Sequence, residues 1–166
     1  MIGHIVIAVL LLSAAQAQTG TKAPLDADRP AEATAVVEPS SVAPGDAATL
    51  QIALNVLEGG HANSNTPADP NLVPTKFTAK AAAGIVWGNP RYPEPQTVRE
   101  WYAPDPLSVY LNGSVISVPF TVEKTAHEGA IDLAGVILTQ ICDHDRCYPP
   151  FKVKVAARVI VKKKYD

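Results

Sequence analysis

Apolar and polar residues alternate with a period of two along much of this chain. Leu50, Ile52, Leu54 and Val56 are separated by Gln51, Ala53 and Asn55, which predicts a strand with one buried face. The last stretch repeats the pattern. Val153, Val155, Ala157, Val159 and Val161 fall on one face, opposite Lys152, Lys154, Arg158 and Lys162, and Ile160 is the apolar exception on the outer side. Shorter runs of strand character occupy residues 33–38, 75–80, 97–101, 107–111, 114–122 and 130–141. Asn112-Gly113 predicts a type I′ hairpin joining 107–111 to 114–122. Residues 39–46, with Pro44-Gly45, and His127-Glu128-Gly129 read as turns. Residues 59–67 read as a polar loop in which His61 is solvated. Residues 89–95 carry three prolines and cannot be regular, and Pro104-Asp105-Pro106 breaks the chain again.

No window holds a helical period, and fifteen prolines oppose helix throughout. Several short strands with regular turn signals predict an all-β fold, an immunoglobulin-like β-sandwich spanning residues 33–163. The cysteines lie too close together to link two sheets, so the expectation covers the architecture and not the antibody framework. Residues 1–17 have the form of a signal peptide, with an apolar run over 5–12 and Ala15-Gln16-Ala17 as a small-x-small cleavage site. That run is too short for a membrane span, which needs about 20 residues. Residues 18–32 are polar and aperiodic and read as a disordered leader. Export would place the domain in an oxidising compartment. The net charge of −2, with Lys162-Lys163-Lys164 as the one basic cluster, argues against a nucleic-acid partner. No segment is apolar for long enough to leave a membrane span after signal cleavage.

The chemistry concentrates in Cys142-Asp143-His144-Asp145-Arg146-Cys147-Tyr148-Pro149-Pro150, which holds both cysteines of the chain. Strand character on both sides puts the sulfurs at the two ends of a four-residue loop, where facing α-carbons are about 4.5–5.5 Å apart and a disulfide can form. A ring that small stabilises by roughly 2 kcal/mol, against about 4.7 kcal/mol for a 100-residue loop. Two cysteines spent where stapling helps least favour a dithiol that opens and closes. Pro149 and Pro150 lack N–H groups and keep the chain beside Cys147 out of the strand ladder. Two alternatives remain: an inert clip in an exported binding module, and a copper or zinc carrier using Cys142, His144 and Cys147 with Asp143 or Asp145.

The Cys-x-x-x-x-Cys-Tyr-Pro-Pro core from Cys142 to Pro150, late in an exported β-domain and followed by a Lys/Val strand, resembles the periplasmic N-terminal domain of DsbD. Gly59-Gly60-His61-Ala62-Asn63-Ser64 is similar to members of the same broader group of disulfide bond corrector proteins. The resemblance runs over about residues 33–162. It implies an immunoglobulin-like sandwich with thiol–disulfide oxidoreductase activity and no cofactor. Its cysteine pair would exchange electrons with thioredoxin-like periplasmic proteins, with Cys147 forming the mixed disulfide. It also implies that Glu100-Trp101-Tyr102 is a cap loop over the pair, and that Tyr148 and Pro149 belong to the site. The best-known DsbD domain has five residues between its cysteines where this chain has four. The chain ends at Asp166 without the membrane electron conduit that full DsbD carries, which leaves two expectations: reduction by a separately encoded conduit, or a terminal acceptor.

Overall fold

The computed structural model describes residues 25–163. The expected signal segment and residues 18–24 of the expected leader lie outside the described residues. In chain order the strands are β1 (Ala31–Glu38), β2 (Ser41–Val42), β3 (Ala47–Val56), β4 (His61–Asn63), β5 (Lys76–Ala79) and β6 (Ile85–Trp87). They continue with β7 (Gln96–Val98), β8 (Leu107–Tyr110), β9 (Ser114–Val122), β10 (Gly129–Thr139), β11 (Ile141–Cys142) and β12 (Phe151–Val161). No helix occurs among the described residues. The protein is an all-β sandwich of immunoglobulin type.

Three open sheets have the orders β1-β3-β9-β6, β2-β12-β10-β5 and β11-β4-β8-β7. The period-two residues build the core as expected: Leu50, Ile52, Leu54 and Val56 are all at most 5% exposed. Val118, Phe120 and Val122 of β9 join them, and Leu133, Ile137, Val153, Val155, Val159 and Val161 enter the same cluster from the second sheet. Each such aliphatic side chain stabilises the fold by roughly 1.5–3 kcal/mol. Ile160, the outward exception, is half-buried where β2 pairs in parallel with the end of β12.

Two expectations need correction. Asn112-Gly113 does make a tight turn, with Gly113 in the left-handed region at φ 79°. Yet β8 pairs with β4 and β7, whereas β9 pairs with β3 and β6, so the turn joins two sheets and is not a hairpin. The cause is the end of β3. Val56 N–H donates to Asn112 Oδ1 at 3.0 Å and Gly113 N–H to Leu54 O at 2.9 Å, which ties the turn to a third strand. The second correction concerns residues 59–67. They contain β4, and all three of its residues are buried, including His61 at 3% exposure. Strand β6 had no sequence signal. Residues 97–101 pair only as far as Val98, after which the chain turns away toward the cysteines.

Candidate functional site

β10 and β12 form a long antiparallel hairpin whose last pair is Thr139 with Phe151. At Gln140 the chain leaves that ladder and lays β11 on β4 of the third sheet, with Ile141 opposite Ala62 and Cys142 opposite His61. A buried polar network fixes the departure. Asn63 Nδ2 donates to Gln140 Oε1 at 3.1 Å, Val73 N–H donates to the same oxygen at 3.1 Å, and Gln140 Nε2 donates to Tyr148 O at 3.2 Å. Thr75 Oγ1 donates to Asn63 O at 2.6 Å and lies 2.8 Å from Thr139 Oγ1. Buried hydrogen-bonded networks of this kind favour one geometry, because breaking them strands further polar atoms away from water. In this one, only Asn63 Oδ1 is left without a partner. Gln140 therefore aims the cysteine loop. Thr75 and Thr139, which extend this network from Asn63, had not been singled out from the sequence.

Beyond the kink, Cys142 and Cys147 form the expected disulfide, with S–S 2.01 Å and α-carbons 3.9 Å apart. Tyr148 N–H to Ile141 O (2.8 Å) and Asp143 N–H to Arg146 O (2.9 Å) bracket it. Asp143 organises the intervening loop. Its Oδ1 accepts from the N–H groups of Asp145 and Arg146 at 2.8 and 2.9 Å, and its Oδ2 from the Tyr148 hydroxyl at 2.6 Å. The Tyr148 bond above all, with those backbone N–H groups helping, holds the Asp143 carboxyl below its ordinary range. The Arg146 guanidinium sits 5.0 Å from the centre of the Tyr148 ring. Pro149 and Pro150 are exposed beside Cys147.

A second segment closes over this loop. Trp101 Nε1 donates to His144 O at 2.7 Å, and the Tyr102 hydroxyl donates to Asp143 O at 3.0 Å. Glu100 Oε2 lies 3.3 Å from His144 Nδ1. Trp101 is 73% exposed and stacks edge-on against Tyr102, so it is no ordinary core aromatic. Burial, then the carboxylates of Glu100 and Asp143, push the Tyr102 phenol up to about 12, which keeps it a neutral donor at any physiological pH. The structure thus gathers Cys142, Cys147, Glu100, Trp101, Tyr102 and Tyr148 into one constellation, with Pro149 at its exposed margin.

The two sulfurs are not equivalent. Cys142 is fully buried at 0% exposure, whereas Cys147 is partly exposed. His61, expected in solvent, is directly opposite the buried cysteine, and its Nε2 has no hydrogen-bond partner. Burial lowers its pKa, with Glu100 and Asp143 acting in the opposite direction. His144 faces Glu100 across the cap contact. Among the described residues no three His, Cys, Asp or Glu side chains are placed to share a metal ion. No helix among them is long and apolar enough to cross a membrane.

The sequence matches no family model and no curated protein sequence. Solved structures with a similar course include the N-terminal periplasmic domain of ScsB from Proteus mirabilis, at 12% identity and TM-score 0.44. That match covers 75% of this chain and 43% of the other, so the chain spans less than half of the ScsB structure. The seventh ScaB type I cohesin from Pseudobacteroides cellulosolvens is 11% identical with TM-score 0.44, covering 81% and 95% of the two chains. The reduced DsbD N-terminal domain from Neisseria meningitidis is 16% identical with TM-score 0.40, covering 69% and 77%.

Proposed function

We propose that this chain is a thiol–disulfide interchange domain of the DsbD N-terminal type, exported to the periplasm by residues 1–17. Electrons pass through Cys142/Cys147 to or from thioredoxin-like proteins. The observation that carries this reading is the asymmetry of the pair. A disulfide is opened by in-line attack on one sulfur, which must be reachable, while the other sulfur leaves. Cys147 is the partly exposed one, whereas Cys142 is fully buried.

In the reducing direction the Cys147 thiolate attacks a partner disulfide. The bond Cys147–S–S–partner forms and the partner's second sulfur departs as a thiolate. Cys142 then attacks Cys147 Sγ, the mixed disulfide breaks, and the Cys142–Cys147 bond is restored. Two electrons have moved to the partner, which now carries two thiols. Each turnover leaves the pair oxidised, so a further round requires two electrons from a donor.

A Cys142→Ala variant tests the assignment, because it lets the first attack proceed and blocks the second. Mixed with an oxidised periplasmic thioredoxin-like protein, it is expected to accumulate a covalent adduct at Cys147, read by non-reducing electrophoresis and peptide mass spectrometry. The matching Cys147→Ala variant is expected to trap less than about a tenth as much, since its remaining thiol is buried. Absence of any adduct where a known DsbD N-terminal domain forms one would overturn the proposal.

A further inference from the structure

The second half of the exchange reaction poses a problem that the burial of Cys142 makes acute. Only a thiolate attacks a disulfide, and an unperturbed thiol, with a pKa of about 8.5, is mostly protonated at neutral pH. Cys142 is 0% exposed, so water does not reach its proton. A titratable side chain stands opposite it on the neighbouring strand. Cys142 pairs with His61 across the β11–β4 ladder. Directly paired residues share a face of the sheet, with Cβ atoms about 4.5–5.5 Å apart.

His61 is 3% exposed, and its Nε2 is buried without a hydrogen-bond partner. A buried ring nitrogen without a partner carries a cost in stability, and such groups in native proteins call for an explanation beyond packing. Here that nitrogen belongs to the residue paired with Cys142, the one thiol of the mechanism that needs a base.

We propose that His61 is the proton acceptor for Cys142, a role that rests on the interchange reading above. As the mixed disulfide resolves, the Cys142 S–H bond breaks and its proton moves to His61 Nε2. The Cys142 sulfur attacks Cys147 Sγ, and the partner leaves as a thiolate with the electron pair of the broken S–S bond. The products are the Cys142–Cys147 disulfide, the partner thiolate and a protonated imidazole, which returns its proton to solvent. In the opposite direction the same imidazolium protonates the departing Cys142 sulfur when an outside thiolate opens the bond at Cys147.

The groups around His61 fit both states. Glu100 from the cap segment and Asp143 from the cysteine loop are anions that favour the imidazolium, while burial favours the neutral base that must be ready beforehand. Tyr102 of the cap stays neutral, and its hydroxyl is engaged with Asp143 O. Tyr110 of β8, on the other side of β4, has its hydroxyl committed to Asn65 Oδ1.

The test uses the reduced protein and Ellman's reagent, an aromatic disulfide that releases a coloured thiolate at each step. The first release is the bimolecular attack by Cys147. The second is closure by Cys142 and is independent of reagent concentration. In His61→Gln the first phase is expected to keep its rate, while the second slows about 100-fold, the scale of a lost proton acceptor. In the wild-type protein the second phase is expected to rise with pH and level off well below the range of an unassisted thiol, about 8.5, because burial lowers the histidine from its usual value.

A closure rate in the variant within about threefold of wild type overturns the role, as does equal slowing of both phases. Should His61→Gln not fold, the wild-type profile alone decides. A second phase that keeps rising toward pH 8.5, the range of an unassisted thiol, also overturns it. If the wild-type protein shows no first phase, the interchange reading itself fails, which no outcome for His61 imitates.

Discussion

In the fully reduced protein, iodoacetamide is expected to alkylate Cys147 about 100-fold faster than Cys142, read as peptide-resolved mass spectrometry over a time course. Cys147 is partly exposed, whereas Cys142 is at 0% exposure and paired with β4. Labelling Cys142 therefore demands a local opening of the third sheet. If that opening costs about 3 kcal/mol, well below global unfolding, the ratio is about 100-fold, since each 1.4 kcal/mol is a factor of ten. Equal rates at the two thiols would mean that the loop leaves the sheet on reduction, and the assignment of separate roles to the two sulfurs would be lost.

The largest effect on stability is expected at Gly135, in the middle of β10. A Cβ placed there would sit 2.4 Å from Phe77 Cε2, 2.5 Å from Phe77 Cζ and 2.9 Å from Thr78 O. Phe77 is 4% exposed and its ring has little room to retreat, while the carbonyl belongs to the neighbouring strand β5. Overpacking of this kind costs typically 1–3 kcal/mol, and contact with backbone as well as ring places Gly135→Ala at the upper end, about 3 kcal/mol. In a domain of this size the melting temperature should fall by roughly 10 °C. The double variant with Phe77→Leu should lose at least about 1 kcal/mol less than the sum of the single changes, because it empties the volume the new methyl needs. Additive losses would mean that the clash lies elsewhere. The consequence reaches the site, since β10 runs straight into Gln140 and the cysteine loop.

What was legible in the chain follows the range of the interactions that decide it. The alternation over Leu50–Val56 and Val153–Val161 reported the buried faces correctly because a strand's two-residue repeat is local. The cysteine loop was legible for the same reason: its ends, its turn residues and its proline flank all lie within one short stretch. Asn112-Gly113 was half legible. The left-handed glycine is a local requirement, but which strands the turn connects is decided by Val56 and Leu54, far away in sequence. His61-Ala62-Asn63 was misread because all three residues are buried and no alternation survives to mark a strand. Its one signal was the likeness of Gly59-Gly60-His61-Ala62-Asn63-Ser64 to a family segment. The contacts of Glu100, Trp101 and Tyr102 with residues some forty positions later had no local pattern at all. The segment was singled out only from the resemblance, and its hydrogen bonds run to the backbone of His144 and Asp143.

The central claim is that the Cys142–Cys147 bond is made to be opened and is not a clip. Its closing loop is too short to stabilise the fold by much, and Cys147 is partly exposed whereas Cys142 is buried. The decisive measurement is the reduction potential of the pair, by equilibration against glutathione or dithiothreitol with mass-spectrometric counting of thiols. A value above about −300 mV is the expected result, within reach of physiological thiol partners. A value well below about −300 mV would mark a structural bond and contradict the account.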